Sequence, residues 1–357
     1  MGNSHSKKSK SNLIKSNTIL QNKLCKLENE LKYIKSLQFS QINNNIILKL
    51  DTPFENIIFD GGGIKGIAYC GALQKLNELG LLKHINRFCG SSIGAICACL
   101  LAVGYSSTEL ETIIKNTNFN DFIDNEIGYI HEYYNLLNNY GYCSGNHLYN
   151  WIGSLIQQKV GTADYTFNDV WTNHQKELII TGTNLNNMTT QYYSYKNNPN
   201  MIIRDAIRIT MSIPFVFSPV QWDNDILVDG GISNKYPLQI FDKKDDNNLV
   251  NTNWKTIGLK LDGLTDHTIN NSIQNKYIID SLQSFNYSLI NTMYNKTDQE
   301  HLKDNTWLRS IIINTREIEA IQFDLTDTQK QDLINQGRLA VNNFIQNRKN
   351  IKKSKKK

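Results

Sequence analysis

The chain has 357 residues, 40% of them hydrophobic, and a formal net charge of +5, enough for one large α/β domain with a full core plus tails, or for two small domains. The charge is concentrated at the ends: residues 1–35 carry +6 and the tail from Arg348 carries +7, leaving the remainder near −8. This argues against a body-wide nucleic-acid footprint and suits an anionic membrane surface at the basic ends. The longest apolar run, Ala95–Val103, falls short of the ~20 residues that span a bilayer. The opening residues do not read as a secretory signal, and the six cysteines lack CxxC spacing, so reduced thiols in the cytoplasm are expected.

In chain order, Met1 to Ser6 match the N-myristoylation pattern, with Gly2 exposed once Met1 is removed, and Lys7, Lys8 and Lys10 follow. One myristoyl chain anchors only marginally, and a polybasic patch is the usual second signal. The pairing predicts a peripheral protein on the cytosolic face of membranes, against the alternative of a plain disordered tail. Leu13, Leu20, Leu24, Leu27, Leu31 and Ile34 form a heptad seam of about three repeats. It fits a self-associating helix, hence a homodimer through residues 13–34, or equally a single amphipathic helix laid on the domain. Strands are predicted at Ile46–Leu50 and Asn56–Phe59, then a helix at Ile67–Glu78 stopped by Gly80. Asn86–Cys89 reads as a strand and Ile93–Val103 as the helix after it. Further strands are predicted at Glu177–Thr183, Ile226–Asp229 and Thr256–Leu261, and helices at Ile202–Met211 and Ile278–Met293. The alternation predicts an α/β fold with a mostly parallel central sheet and helices on both faces.

Three short motifs on this frame carry chemistry. Asp60-Gly61-Gly62-Gly63-Ile64-Lys65-Gly66 follows a strand, and its glycines leave backbone N–H groups bare for an oxyanion. Gly61, Gly63 and Gly66 also satisfy a dinucleotide fingerprint, but the acidic residue that pattern wants, Glu78, falls inside a predicted helix, which disfavours a nucleotide site. Lys65 either places a cation beside the oxyanion or is merely solvated. Gly90-Ser91-Ser92-Ile93-Gly94 sets Ser92 between strand and helix, where a tight turn needs tiny residues two before and two after the serine and a helix N-terminus favours developing negative charge. Asp229 ends a strand ahead of Gly230 and Gly231, presenting a carboxylate at the carboxyl edge of the sheet. His267 and His301 follow in the order of an α/β-hydrolase triad, but neither lies in a recognisable motif.

With these motifs the sequence resembles the patatin-like phospholipase family. Phe167 to Trp171, Lys176 to Leu185, Ala206 to Pro219, and Asn234 and Pro237 extend the likeness across residues 55–242. The resemblance implies a patatin-like three-layer sandwich and a serine and aspartate dyad without histidine. Ser92 would be the nucleophile and Asp229 its general base, with an oxyanion hole at Gly61, Gly62, Gly63 and Ile93 supported by Lys65, Gly66, Gly90, Gly94, Gly230 and Gly231. Lys65 stands where many members carry arginine, and Gly182 replaces a common alanine. The expectation is a lipid acyl hydrolase of the phospholipase A or lysophospholipase type acting on phospholipid or another acyl ester, with no cofactor and no metal. The alternative is an idle lipid-binding or scaffold protein working through its N-terminal helix. The expected organisation is a basic tail and helix at 1–50, the core at 55–242, an α/β completion at 243–345 and a basic tail at 346–357.

Overall fold

The computed structural model describes residues 52–123, 136, 138–244, 250–262, 278–281, 284–286, 288–290, 292–293, 306–316 and 318–354. Gly2, the heptad seam, the Ile46–Leu50 strand, His267 and His301 lie outside them. Two units divide the chain: Thr52–Arg348, described next, and Met1–Asp51 with Lys349–Lys357, of which residues 349–354 are described and helical.

Short apolar runs make the strands. β1 (Asn56–Phe59) is buried along its whole length. After it come a 3₁₀ turn (Gly63–Ile67), α1 (Ala68–Glu78), β2 (Arg87–Gly90), α2 (Ile93–Ala102) and α3 (Ser107–Asn116). β3 (Gly141–Cys143), α4 (Asn146–Val160), α5 (Phe167–His174), β4 (Glu177–Asn184), β5 (Thr189–Ser194) and α6 (Ile203–Thr210) follow. The chain continues through β6 (Phe215–Phe217), β7 (Val220–Trp222), β8 (Asp225–Asp229), α7 (Gly231–Asn234), β9 (Lys243–Lys244) and β10 (Val250–Asn251). β11 (Thr256–Asp262), β12 (Ser310–Asn314) and α8 (Asp327–Ser354) complete it. Of the predicted Ile278–Met293 helix, residues 284–286, 288–290, 292 and 293 are described as helical.

The main sheet has eight strands in the order β12-β11-β1-β2-β4-β8-β7, with β5 also paired to β4. β12, β11, β1, β2 and β4 run parallel, while β5, β8 and β7 join antiparallel. Alternation assigns the two faces. Ile57, Phe59, Phe88, Leu178 and Ile180 enter the large apolar cluster that also holds the inward residues of α1, α2, α4 and α6. Ile58, Cys89 and Ile179 point the other way, into a smaller cluster closed by Tyr236, Leu238 and Phe241. On that second face Ser233 of α7 hydrogen-bonds Thr183 and Thr190. The result is a three-layer α/β sandwich whose layers are unequal. Because both faces are covered, the central strands are continuously apolar rather than alternating.

α1 and α8 approach closely enough that a Cβ on Gly71 would meet the Ile334 carbonyl and one on Gly337 the Ala68 carbonyl. α8 extends through residues expected as a basic tail: Arg348 is buried, with its guanidinium 4.9 Å from the Phe54 ring and 5.3 Å from that of Phe344. Cys70, Cys89, Cys97, Cys99 and Cys143 are buried free thiols. No helix among the described residues is long and apolar enough to cross a membrane.

Candidate active site

Three strand ends converge at one edge of the sheet: Phe59 pairs with Gly90, Gly90 with Ile180, and Gly182 with Asp229. Ser92 sits just past β2, at φ 53° and ψ −128°, as the residue capping α2. A non-glycine backbone there is held against a cost of about 1–3 kcal/mol. What holds it is close packing. A Cβ on Gly90 would lie 2.3 Å from the backbone of Gly94, and one on Gly94 would lie 2.6 Å from the carbonyl oxygens of Phe59 and Asp60. The two flanking glycines are therefore fixed by backbone contact between β1, β2 and α2. Gly66 adds room beneath the turn, since a Cβ there would strike Ile93.

The Ser92 N–H donates to Thr210 Oγ1 at 2.9 Å. Two residues later, the Ser212 carbonyl accepts the Asp229 N–H at 3.0 Å. The stretch Thr210-Met211-Ser212 thus ties the serine turn to the end of β8, and Arg208 braces it by donating to Ser212 Oγ at 2.6 Å and to the carbonyls of Ser144 and Ser218. Ser92 Oγ points at Met211 Sδ, 3.5 Å away, a weak acceptor. Motif reading assigned Thr210 and Met211 no role; their only signal was membership of the Ala206–Pro219 stretch.

Asp229 is fully buried. Its Oδ1 accepts the Gly231 N–H at 2.6 Å, whereas Oδ2 has no hydrogen-bond partner among the described residues. Burial raises its carboxyl from an ordinary 3.8 to about 7, against the opposing pull of the Gly231 N–H, the Ser92 hydroxyl and the Lys235 charge. The Ser92 hydroxyl is near enough to act on this carboxylate but, in this rotamer, does not donate to it. Gly230 packs on Thr181, where a Cβ would lie 2.1 Å from Oγ1.

The glycine loop is anchored from below. Tyr69 donates to the Asp60 carbonyl at 2.5 Å, Leu261 N–H donates to Asp60 Oδ2 at 3.1 Å, and the ammonium of Lys235 lies 3.7 Å from the same oxygen. Gly61 gives its N–H to the Lys235 carbonyl at 3.1 Å, so it shapes the loop without adding a donor. The N–H groups of Gly62, Gly63 and Ile93 donate to no partner among the described residues. Gly63 has φ 57°, and a Cβ there would lie 1.9 Å from the Ala320 carbonyl oxygen, which already accepts the Ile64 N–H. Lys65 is half-buried in the same turn.

The family model described as Patatin-like phospholipase matches residues 57–242. The chain belongs to the patatin-like phospholipase family. It is 30% identical over 299 residues to the uncharacterized protein R571 of Acanthamoeba polyphaga mimivirus, covering 83% of this chain and 95% of that one. It is 24% identical over 187 residues to the probable lipid hydrolase 463L of Invertebrate iridescent virus 6, covering 52% of this chain and 63% of that protein. Its fold is similar to the crystal structure of VipD from Legionella pneumophila, with a TM-score of 0.54 at 15% identity, over 83% of this chain and 67% of that one. In this patatin-like chain the site is not built from the matched segment alone: Leu261 and Ala320, both beyond residue 242, hold the glycine loop.

Proposed function

We propose that this patatin-like chain is a lipid acyl hydrolase of the phospholipase A or lysophospholipase type, with Ser92 as nucleophile and Asp229 as general base. The observation that carries the reading is the Oδ2 of a fully buried Asp229, without a hydrogen-bond partner among the described residues, beside the hydroxyl of a strained Ser92. A buried acceptor left open costs about 1–3 kcal/mol, which a proton-accepting role explains. In the reaction Ser92 Oγ turns from Met211 Sδ to Asp229 Oδ2, gives up its proton and attacks the ester carbonyl carbon. The oxyanion is received by the N–H groups of Gly62, Gly63 and Ile93, at the N-terminus of α2. Collapse breaks the bond to the alcohol, which leaves with the proton from Asp229, and an acyl-serine remains. Water then gives a proton to Asp229 as its oxygen attacks the acyl carbon, and the released serine oxygen takes that proton back.

A carboxylate near its ordinary value would be a feeble base toward serine; one raised to about 7 is matched to neutral pH. A fluorophosphonate probe should label wild-type protein and leave Ser92→Ala unlabelled, and a panel of fluorogenic acyl esters and phospholipids should show turnover. Absence of both label and turnover would refute the enzyme.

A further inference from the structure

Two β-hairpin turns stand side by side at the carboxyl edge of the sheet. Residues 185–188 join β4 to β5, and Asp223-Asn224 joins β7 to β8. Asp229 pairs with Gly182, and β4 continues to Asn184. The 185–188 turn therefore begins about 10 Å beyond the level of Asp229, at ~3.3 Å per residue, on the edge where Ser92 lies.

The two turns are locked to one another. The Leu185 N–H donates to the Ile226 carbonyl at 2.9 Å, the Ile226 N–H to Asn186 Oδ1 at 2.7 Å, and Asn184 Nδ2 to Asp225 Oδ2 at 2.6 Å. Asn184 Oδ1 accepts the N–H groups of Asn186 and Asn187 in addition. This braced backbone presents large apolar side chains to water: Met188 is 87% exposed, Leu185 45% and Trp222 41%. Met188 does so from φ 58°, a conformation that a long apolar residue adopts reluctantly. Single exposed apolar residues are ordinary, but these three stand on two cross-linked turns at the sheet edge where Ser92 lies. Charge selects the occupant. Residues 185–190 carry no charge and residues 220–227 carry only Asp223 and Asp225, with no lysine or arginine in either stretch. Such tips suit an electrically neutral lipid surface rather than an anionic one.

We propose that the paired tips are an interfacial docking surface, with Leu185, Met188 and Trp222 entering the headgroup and upper acyl region of a zwitterionic phospholipid surface beside Ser92. The inference rests on the lipid-hydrolase reading above for what the docked site then does. Indole and thioether groups are suited to that depth, and tip-first entry uses residues on both faces of the hairpins.

The test uses the full-length chain with phosphatidylcholine vesicles, plain or brominated in the acyl chains. Emission from Trp222, isolated by subtracting the Trp222→Phe variant, should shift to the blue and be quenched by brominated lipid. An unshifted, unquenched Trp222 overturns the proposal, whether the protein binds the vesicle elsewhere or not at all. Met188→Asp keeps a residue that tolerates φ near 58°, so folding is spared. It should lower hydrolysis of the vesicles about tenfold or more and leave that of water-soluble p-nitrophenyl butyrate within about twofold, with Met188→Leu retaining the vesicle rate. Equal loss on both substrates overturns the surface role. If the wild type hydrolyses neither, the hydrolase reading fails by itself, and Trp222 quenching still decides the docking surface.

Discussion

At the scale of single residues, the electrostatics of Asp229 govern what can be measured. Burial holds its carboxyl at about 7 in the folded state, above the ordinary 3.8. As the proposed general base it is active when deprotonated, so kcat/KM should rise with pH through a limb near 7 and level off above it. A limb near 4 would show that the raised value is not that of the working base. The same shift acts on stability with a definite sign. Between about 4 and 7 the folded state binds a proton that the unfolded state has lost, so this group makes stability fall as pH rises across that window and stay low above it. Asp229→Asn should therefore be more heat-stable than wild type at pH 8, on the order of a few kcal/mol at most, with the advantage shrinking toward pH 4 in thermal melts. Its turnover should drop about as far as that of Ser92→Ala, roughly 10⁴-fold, because groups acting as one unit are not additive.

At the scale of elements, the end of α6 ties the Ser92 turn to the end of β8 and so aligns the proposed nucleophile and base. Thr210 Oγ1 accepts the Ser92 N–H from a fully buried position. Thr210→Val should leave that N–H without a partner at a cost of about 1–3 kcal/mol and lower kcat by about 10- to 100-fold, with the pH limb unmoved. Thr210→Ser should restore most of the rate; a shifted limb would mean that Thr210 acts on Asp229 directly. At the glycine turn, Gly94→Ala forces a Cβ to within 2.6 Å of two carbonyl oxygens of the neighbouring strand end. That contact is between backbone atoms, which cannot rotate away. The variant should lose about 2 kcal/mol or more in denaturant melts and lose probe labelling with it.

At the scale of the whole molecule, the expected acylation of Gly2 and the basic N-terminal stretch offer a second proposed route to a lipid surface. Gly2, Lys7, Lys8 and Lys10 lie outside the described residues, and their chemistry makes a prediction distinct from that of the hairpin tips. A single myristoyl chain gives an association constant of only ~10⁴ M⁻¹, and each basic residue near an anionic surface adds ~1 kcal/mol. Protein made with an N-myristoyltransferase should pellet with anionic vesicles and be released by high salt, whereas Gly2→Ala should stay largely in solution. Equal pelleting of the two would show that Gly2 is not an anchor.

The chain alone determined the ordering of chemical parts: Gly61 to Gly66, then Gly90 to Gly94, then Asp229 to Gly231, each at the end of an apolar strand. Such motifs are legible because local backbone demands dictate them. A turn that crowds Gly90 on Gly94 leaves few residue choices, and a strand buried on both faces reads as a continuous apolar run. Boundaries also came within a residue for β2, α2 and α6, where the apolar pattern changes abruptly. Only tertiary structure decided the rest. That Thr210 holds the Ser92 N–H depends on a contact between residues 118 positions apart, and the grip of Leu261 on Asp60 spans 201. Gly61 drops out as a donor because the Lys235 carbonyl reaches it, and Ala320, outside every motif, forces glycine at position 63. α8 reads as polar with a lysine-rich end, so its burial against α1 shows only once both helices are in place. Local chemistry is written in consecutive residues; positioning is done by groups that folding brings in from elsewhere, and no spacing along the chain records it.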